Sequence, residues 1–324
     1  MFIAVLLFAV GLVLLIKGGD WFVDGASSIA QRFHIPEILI GATVVSIGTT
    51  LPEVMVSATS ALEGHGEIAY GNAIGSIICN TSLIAAITVA IKPAAIKRNS
   101  LVLPLVFFFV SAVFYSATAY TTGFFSRITG IILLLMFAAY MVISVVQAKK
   151  DMKNVSSEND TEEKTEGNSL VIDLVKLVAG AACIAVGARL LVDNGTIIAE
   201  KLGVPESVIA LTFVALGTSL PELVTAITSL AKGHGALSLG NIIGANMFNL
   251  VLVSGVSTVL APFAVPASKL VGGMNASLVV DIPVMLAVMS FLVIPAFVRE
   301  KLSRSQGIIL LAVYASYCVF QFCI

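Results

Sequence analysis

Ten long apolar stretches, separated by short polar segments, dominate the pattern of hydrophobic and polar positions along the chain. They cover residues 2–23, 36–61, 67–91, 101–119, 128–147, 172–198, 206–230, 236–261, 277–298 and 307–324. Each is close to the roughly 20 residues that a helix needs to cross the hydrocarbon core of a bilayer. The alternating short segments of a β-barrel are lacking from the pattern. The pattern therefore predicts an all-α polytopic membrane protein with ten transmembrane helices.

The composition agrees with an integral membrane protein. Hydrophobic residues make up 58% of the 324 positions and charged residues only 11%, with a net charge of −1. Such a balance gives no electrostatic reason to expect a nucleic-acid partner, and the sequence implies no obligate protein partner. The four cysteines lie inside apolar runs without a CxxC pair, so we interpret them as small buried residues. We expect no cofactor, and we interpret the apolar N-terminus as the first span.

A charged segment divides the chain into two halves. Ten of the 18 residues from Lys149 to Glu166 are charged, which predicts a solvated, mobile loop. We therefore expect a first five-helix repeat at 1–147, a linker at 148–170 and a second five-helix repeat at 171–324. With the linker in the cytoplasm, Lys and Arg near the span ends favour the cytoplasmic side by 12 to 3. Both termini then face outside.

The two halves are related in sequence. Residues 41–80 and 210–249 align without gaps at an offset of 169, and 17 of the 40 positions are identical. Five spans are an odd number, so the second half enters the membrane from the opposite side to the first. The sequence thus predicts two inverted-topology repeats. That architecture is typical of secondary transporters, which bind their ions near the membrane midplane between the repeats.

The centre of each repeat is polar. The segments GTTLPE at 48–53 and GTSLPE at 217–222 fall near the middle of the second and seventh spans. Each proline lacks an N–H, so we expect a break or kink that frees carbonyl groups, including those at Ser46 and Ala215. A buried acidic side chain costs about 2.5–3.5 kcal/mol at the bilayer centre. Glu53 and Glu222 are therefore predicted to bind cations, for which oxygen ligands suit Na⁺ and Ca²⁺.

The next helix of each repeat carries amides. Asn80 and Asn249 lie near the centre of the third and eighth spans, and we expect them to face the ion cavity. Asn72 and Asn241, in GN-x-x-G segments, fit either helix packing or the cavity. The histidines of the two Gly-His-Gly turns, His65 and His234, are better explained by tight turns than by a proton relay. Glu63 and Glu67 are expected at the outer mouth, and Asp20, Asp24, Asp193 and Asp281 near the interfaces.

The paired LPE segments, each followed by a GN-x-x-G helix ending in asparagine, resemble the α-repeats of the sodium/calcium exchanger family of cation antiporters. The resemblance covers essentially the whole chain. It implies alternating access with a sliding pair formed by the first and sixth spans. The ligand set that it implies comprises Glu53, Glu222, Thr49, Thr50, Thr218, Ser219, Ser76 and Asn80.

The sequence departs from the family pattern at two positions. Many members carry an acidic residue where Asn249 stands and a serine where Ala245 stands. Proton-coupled members usually have an acidic residue at the positions of Gly75 and Gly244, which argues against that branch.

We therefore expect an antiporter of Na⁺ and Ca²⁺, a minimal prokaryotic form in the cell (inner) membrane, rather than an enzyme. A proton- or potassium-coupled cation antiporter remains an alternative, as does a passive cation channel. An intramembrane protease would need a GxGD, an HExxH or a Ser/His pair, which the spans lack.

Overall fold

The computed structural model describes residues 2–93, 98–158, 169–202, 217–267 and 269–323. Within these ranges the chain forms ten apolar helices, one for each predicted span, of which the seventh is short. They are α1 (Phe2–Arg32), α2 (Glu37–Leu62), α3 (Gly66–Ile91), α4 (Arg98–Thr122), α5 (Arg127–Glu158), α6 (Leu170–Lys201), α7 (Leu220–Ala231), α8 (Gly235–Leu260), α9 (Ser277–Arg299) and α10 (Arg304–Cys323). All of these except α7 and α10 meet the length and hydropathy expected of a membrane span. The predicted all-α fold is confirmed.

Two helix ends that the sequence predicts are not found in the described structure. The linker was expected to be a loop from Lys149, but α5 continues as helix to Glu158. Residues 149–158 contain no Gly or Pro, and charge alone does not end a helix. Likewise, α2 is not broken at Pro52, which lies inside a continuous helix. The prediction fits the second repeat better, where Pro221 occupies the first turn of α7.

Short strands join some of the loops. Strand β1 (Phe124–Phe125), between α4 and α5, pairs antiparallel with β2 (Phe263–Ala264), between α8 and α9. Strands β3 (Leu270–Val271) and β4 (Met274–Asn275) form a second antiparallel pair. The apolar pattern did not predict these two-residue strands, because they are too short to show an alternation.

Helices α1 and α6 pack against each other as a close antiparallel pair. Small residues face each other at intervals of seven, with Gly11 opposite Gly187 and Gly18 opposite Gly180. A methyl group on Gly180 would lie 2.5 Å from the backbone nitrogen of Phe22. Small residues allow helix backbones in a membrane to approach this closely. Gly11 and Gly180 are repeat-related positions, as are Gly18 and Gly187, so the inverted symmetry runs through this contact.

Helices α3 and α8 form the centre of the molecule. In their apolar windows 72% and 83% of the residues are buried, which are the highest values among the spans. Each contains one wider, π-helical turn, at Asn80–Ala85 in α3 and at Asn249–Val253 in α8. Such turns are uncommon and are often found at functional sites. Both begin at the asparagine that the sequence places in the ion cavity.

Candidate ion-binding site

Two carboxylates lie at the centre of the protein. Glu53 on α2 and Glu222 in the first turn of α7 both have an exposed fraction of 0%. The two groups lie within electrostatic range of each other. None of their four side-chain oxygens has a hydrogen-bond partner among the described residues. A buried carboxylate without compensation is strongly unfavourable, so this pair requires a positive partner or protons.

Two amides from the central helices are also buried without hydrogen-bond partners in the described structure. Asn80 and Asn249 are fully buried at the start of the two π-helical turns. The part of the chain that the structure describes supplies no hydrogen bond to either amide's nitrogen or oxygen. Buried amides are normally hydrogen-bonded, and each unsatisfied group costs about 1–3 kcal/mol. Their oxygens are therefore available to a cation.

Hydroxyl groups complete the polar cluster. Thr49 and Thr50 lie beside the carboxylate of Glu222, on the opposite repeat. Thr49, Thr50 and Ser219 are almost completely buried, and Ser76 is 5% exposed. The hydroxyls of Thr50 and Ser219 have no partner within the described ranges. Both repeats thus supply buried hydroxyl oxygens to this cluster.

A pair of symmetric hydrogen bonds joins the two repeats around this cluster. The Thr49 hydroxyl donates to Oδ1 of Asn241 over 3.2 Å, and the Thr218 hydroxyl donates to Oδ1 of Asn72 over 3.2 Å. Asn72 also donates to the backbone oxygen of Glu53, at 3.1 Å. Asn72 and Asn241, whose role the sequence left open, therefore connect the repeats.

The sequence also predicts carbonyl ligands near Ser46 and Ala215. Ser46 is buried, and its hydroxyl lies 2.7 Å from the Gly41 oxygen and 3.0 Å from the backbone oxygen of Asn241. The hydroxyl of Ser46 is thus engaged within the protein. The group that the sequence predicts as a ligand is the backbone carbonyl of Ser46, and that assignment stays a prediction. Ala215 lies outside the described residues.

The structure also reveals polar residues that the sequence did not single out. Asn246 on α8 is fully buried and donates to Thr81 over 2.7 Å, next to Asn80. Its Oδ1 atom has no partner in the described structure. Its repeat-related position holds Ile77, so a search for symmetric polar positions could not find it. Hydropathy gives little signal for one amide in an apolar helix.

The donor set is chemically specific. It consists of carboxylate, amide and hydroxyl oxygens, which are the ligands of hard cations such as Na⁺ and Ca²⁺. The described residues contain no group of three or more His, Cys, Asp or Glu that could hold a resident metal ion. Two carboxylates match the charge of one Ca²⁺, whereas a tightly held transition metal would favour imidazole or thiolate.

A cavity of about 1230 Å³ approaches this cluster from one side. It lies between α6, α2, α3 and α10, and its walls are mostly apolar. Its lining includes Gly48 and the polar residues Asn72, Ser76 and Thr218. The cavity therefore gives a route from one side of the protein to the residues around the two carboxylates.

Comparison with known proteins gives concordant results. The family model described as "Sodium/calcium exchanger protein" matches residues 3–146 and 172–323. An uncharacterized membrane protein of Methanocaldococcus jannaschii is 36% identical over 308 residues, which cover 95% of this chain and 94% of the relative. The sodium/calcium exchanger MaX1 of Methanosarcina acetivorans is 31% identical over 357 residues, which cover 98% of each.

A solved structure shares the fold. It is the sodium-calcium exchanger NCX_Mj, soaked with 2.5 mM Na⁺ and 1 mM Sr²⁺. The TM-score is 0.80 at 33% sequence identity, and the match covers 98% of this chain and 97% of the other. The similarity extends over both halves, in agreement with ten helices in two five-helix repeats.

Proposed function

The chain belongs to the sodium/calcium exchanger family, and from this membership we propose that it is a secondary antiporter that exchanges Na⁺ for Ca²⁺ across a membrane. The observation that carries the proposal is the buried pair of Glu53 and Glu222, whose oxygens have no partner in the described structure. The transported ions supply the positive charge that this pair requires. They are substrates, and the proposal includes no cofactor.

We propose that both repeats contribute ligands. The carboxylates of Glu53 and Glu222 are the central ligands, and the amide oxygens of Asn80 and Asn249 lie beside them. Hydroxyls of Thr49, Thr50, Ser76, Thr218 and Ser219, with the carbonyls near Ser46 and Ala215, complete the set. Ca²⁺ takes six to eight oxygen ligands at about 2.3–2.6 Å, and this many oxygens can satisfy it.

Coupling follows from the burial of the two charges. Ca²⁺ and Na⁺ use the same carboxylates, so the two ions cannot be bound there at once. Moving bare carboxylates past an apolar barrier is strongly unfavourable, and only the ion-loaded site is close to neutral. Alternation of the site between the two sides therefore requires bound ions. An inward Na⁺ gradient then drives Ca²⁺ outward.

The orientation is part of the proposal. The excess of Lys and Arg on one side, 12 against 3, supports a cytoplasmic linker with both termini outside. The Glu63 end of α2 and the cavity beside it then face outside. The archaeal origin of the relatives supports a prokaryotic cell membrane. The protein acts in the bilayer without an obligate protein partner.

Exchange in proteoliposomes tests this function. We expect an outward Na⁺ gradient to drive ⁴⁵Ca²⁺ uptake into Na⁺-loaded vesicles. Glu53→Gln or Glu222→Gln should reduce that uptake at least about 100-fold, because removing a buried charged ligand costs several kcal/mol. Glu300→Gln, at an exposed carboxylate far from the site, serves as the matched control and should transport normally.

Two results would contradict the proposal. Retained Na⁺-dependent uptake in both glutamate variants would show that Glu53 and Glu222 are not the ion-binding site. Uptake that is not accelerated by Ca²⁺ on the opposite side would indicate a channel, because trans-stimulation is a property of exchangers. Replacing Na⁺ by K⁺ or by a proton gradient in the same assay measures the alternative couplings directly.

A further inference from the structure

The two repeats do not occupy equivalent positions around the central site. On the side of the α7–α8 turn, α1 packs tightly against α7. A methyl group on Gly19 would lie 2.8 Å from Cγ1 of Val224 and 2.9 Å from Oγ1 of Thr228. The repeat-related helices on the other side are α6 and α2, and the cavity lies between them, lined by Ala188 and Met55. The protein is closed on one face and open on the other.

An ion-pair cluster holds the closed face. Lys232, directly after α7, lies 2.8 Å from Asp24 and 3.3 Å from Asp20 on α1. Its amine also donates to the backbone oxygen of Asp20, at 3.1 Å. Partial burial opposes the charged amine, but hydrogen bonds and the charges of Asp24 and Asp20 outweigh it and keep the pKa of Lys232 above its ordinary value. One cation thus bridges two acids across the interface between α1 and α7.

The repeat-related positions carry the same cluster with the charges exchanged. At an offset of 169, Asp20 corresponds to Arg189, Asp24 to Asp193 and Lys232 to Glu63. The lysine of the turn has become an acid, and one acid of the long helix has become an arginine. Both members change sign together, so a pair of opposite charges is retained. Random drift of surface residues gives no reason for this joint reversal.

The second cluster is not assembled in this structure. Arg189 pairs with Asp193 on its own helix at 3.6 Å, and their side chains are 85% and 60% exposed. Glu63 is exposed at the end of α2. Arg189, Asp193 and Val56 line the same cavity, so it is the open space of this cavity that separates α6 from the end of α2.

We propose that Glu63 and Arg189 form the inter-repeat ion pair of the alternate state, in which the cavity is closed and Lys232 has released α1. Arg189 then bridges Asp193 and Glu63, as Lys232 bridges Asp24 and Asp20 here. The close glycine contacts make α1 and α6 move together, so formation of one cluster accompanies loss of the other. The inference rests on the proposed antiport, because only an alternating transporter needs both states.

Cross-linking tests the two states separately from transport. In a chain whose native cysteines are replaced by serine or alanine, we introduce Glu63→Cys with Arg189→Cys, or Asp24→Cys with Lys232→Cys. Each pair should be linked by a short, reducible bifunctional thiol reagent in membranes. Each link should abolish ⁴⁵Ca²⁺ exchange, and reduction should restore it. With all four cysteines, linking one pair should prevent linking of the other. Arg189→Cys with Glu300→Cys is the control and should not be linked.

The cross-links also distinguish this inference from the proposed function. If the 24/232 pair is linked and the 63/189 pair is not, or if both are linked in one molecule, the two-cluster inference is overturned while exchange by the parent chain stands. A different outcome is that each link excludes the other while the parent chain shows no Na⁺/Ca²⁺ exchange. In that case the inference about the alternate state stands, and the proposed transport of Na⁺ and Ca²⁺ is wrong.

Charge reversal provides a second readout. Arg189→Glu and Glu63→Arg alone should each slow exchange by about fivefold, since an exposed ion pair contributes up to about that factor. The double variant restores the attraction and should exchange within about twofold of the parent chain. Arg189→Glu combined with Glu300→Arg is the matched control and should stay slow. A double variant as slow as the product of the two single effects would overturn the inference.

Discussion

Asn241 shows how a residue without charge can determine the geometry of a site for ions. Its Oδ1 atom accepts a hydrogen bond from Thr49, and both its backbone oxygen and Oδ1 lie within reach of the Ser46 hydroxyl. In the symmetry-related contact, Oδ1 of Asn72 accepts a hydrogen bond from the hydroxyl of Thr218. These bonds connect α8 to α2 and α3 to the start of α7. The hydroxyls near the carboxylates are thereby held by the other repeat.

Removing that amide should weaken both the fold and the site. We expect Asn241→Ala to lower the free energy of unfolding by about 1–3 kcal/mol, because the buried hydroxyl of Thr49 loses its acceptor. Exchange should also become slower, since Thr49 lies beside Glu222. Thermal unfolding in detergent and ⁴⁵Ca²⁺ exchange measure the two effects. Asn99→Ala, at an exposed amide on α4, is the control. An unchanged melting temperature for Asn241→Ala would contradict this account.

At the scale of single residues, the sequence is informative where both repeats carry the same polar group. Glu53 and Glu222 are identical in type and are both fully buried, and their role as the centre of the site stays a prediction. Asn246 has no such counterpart, because Ile77 occupies its repeat-related position. Its neighbours in space come from α3 and α9, and these contacts arise only from tertiary packing. No local pattern could indicate them.

At the scale of helices, the glycines of α1 and α6 are the feature with the largest consequence. Glycines at 11, 18, 180 and 187 bring the two backbones into direct contact along both helices. The repeat of seven residues keeps the contact on one face of each helix, as in left-handed helix pairs. Such an interface has few side chains to interlock. The direct backbone contact holds α1 and α6 together, which supports the proposal that they move as one unit.

A single methyl group should disturb this pair. In Gly180→Ala the added carbon would lie 2.5 Å from the nitrogen of Phe22 and 2.8 Å from the oxygen of Gly18, so the helices must separate. We expect a loss of about 1–3 kcal/mol in stability, as for other overpacked interfaces, and slower exchange. Gly71→Ala is a sensitive control, because its added carbon meets no described atom within 4 Å. Equal melting temperatures and exchange rates for the two variants would contradict the close contact.

The two prolines show the limit of reading helix ends from sequence. Pro52 and Pro221 occupy equivalent motifs, yet α2 continues through Pro52 whereas α7 begins at Leu220. Pro52 removes one hydrogen bond inside α2, whereas Pro221 lies in the first turn of α7, where its missing N–H would have had no intrahelical partner. Neighbouring helices decide whether the backbone continues. The wider turn at Gly41–Val45 lies just before the first motif. The sequence therefore predicts the missing proline N–H, and the packing of neighbouring helices determines whether the helix continues.

At the scale of the whole molecule, the number of spans and the repeat follow from the sequence. Membrane spans are set by length and hydropathy, which are local properties, and the repeat is visible as identity at a fixed offset. The sequence does not predict which face of the protein is open and which is closed. Both repeats carry the same motifs, so the sequence motifs predict two equivalent halves. The asymmetry appears only when α1 is placed against α7 and α6 away from α2.

The central claim is that Glu53 and Glu222 together hold Ca²⁺ in competition with Na⁺, and equilibrium binding of ⁴⁵Ca²⁺ to the purified protein tests it most directly. The account predicts one Ca²⁺ per chain, displaced by Na⁺ and lost in Glu53→Gln and Glu222→Gln, while Glu300→Gln binds like the parent chain. Saturable, Na⁺-sensitive binding that persists in both glutamine variants would contradict the account.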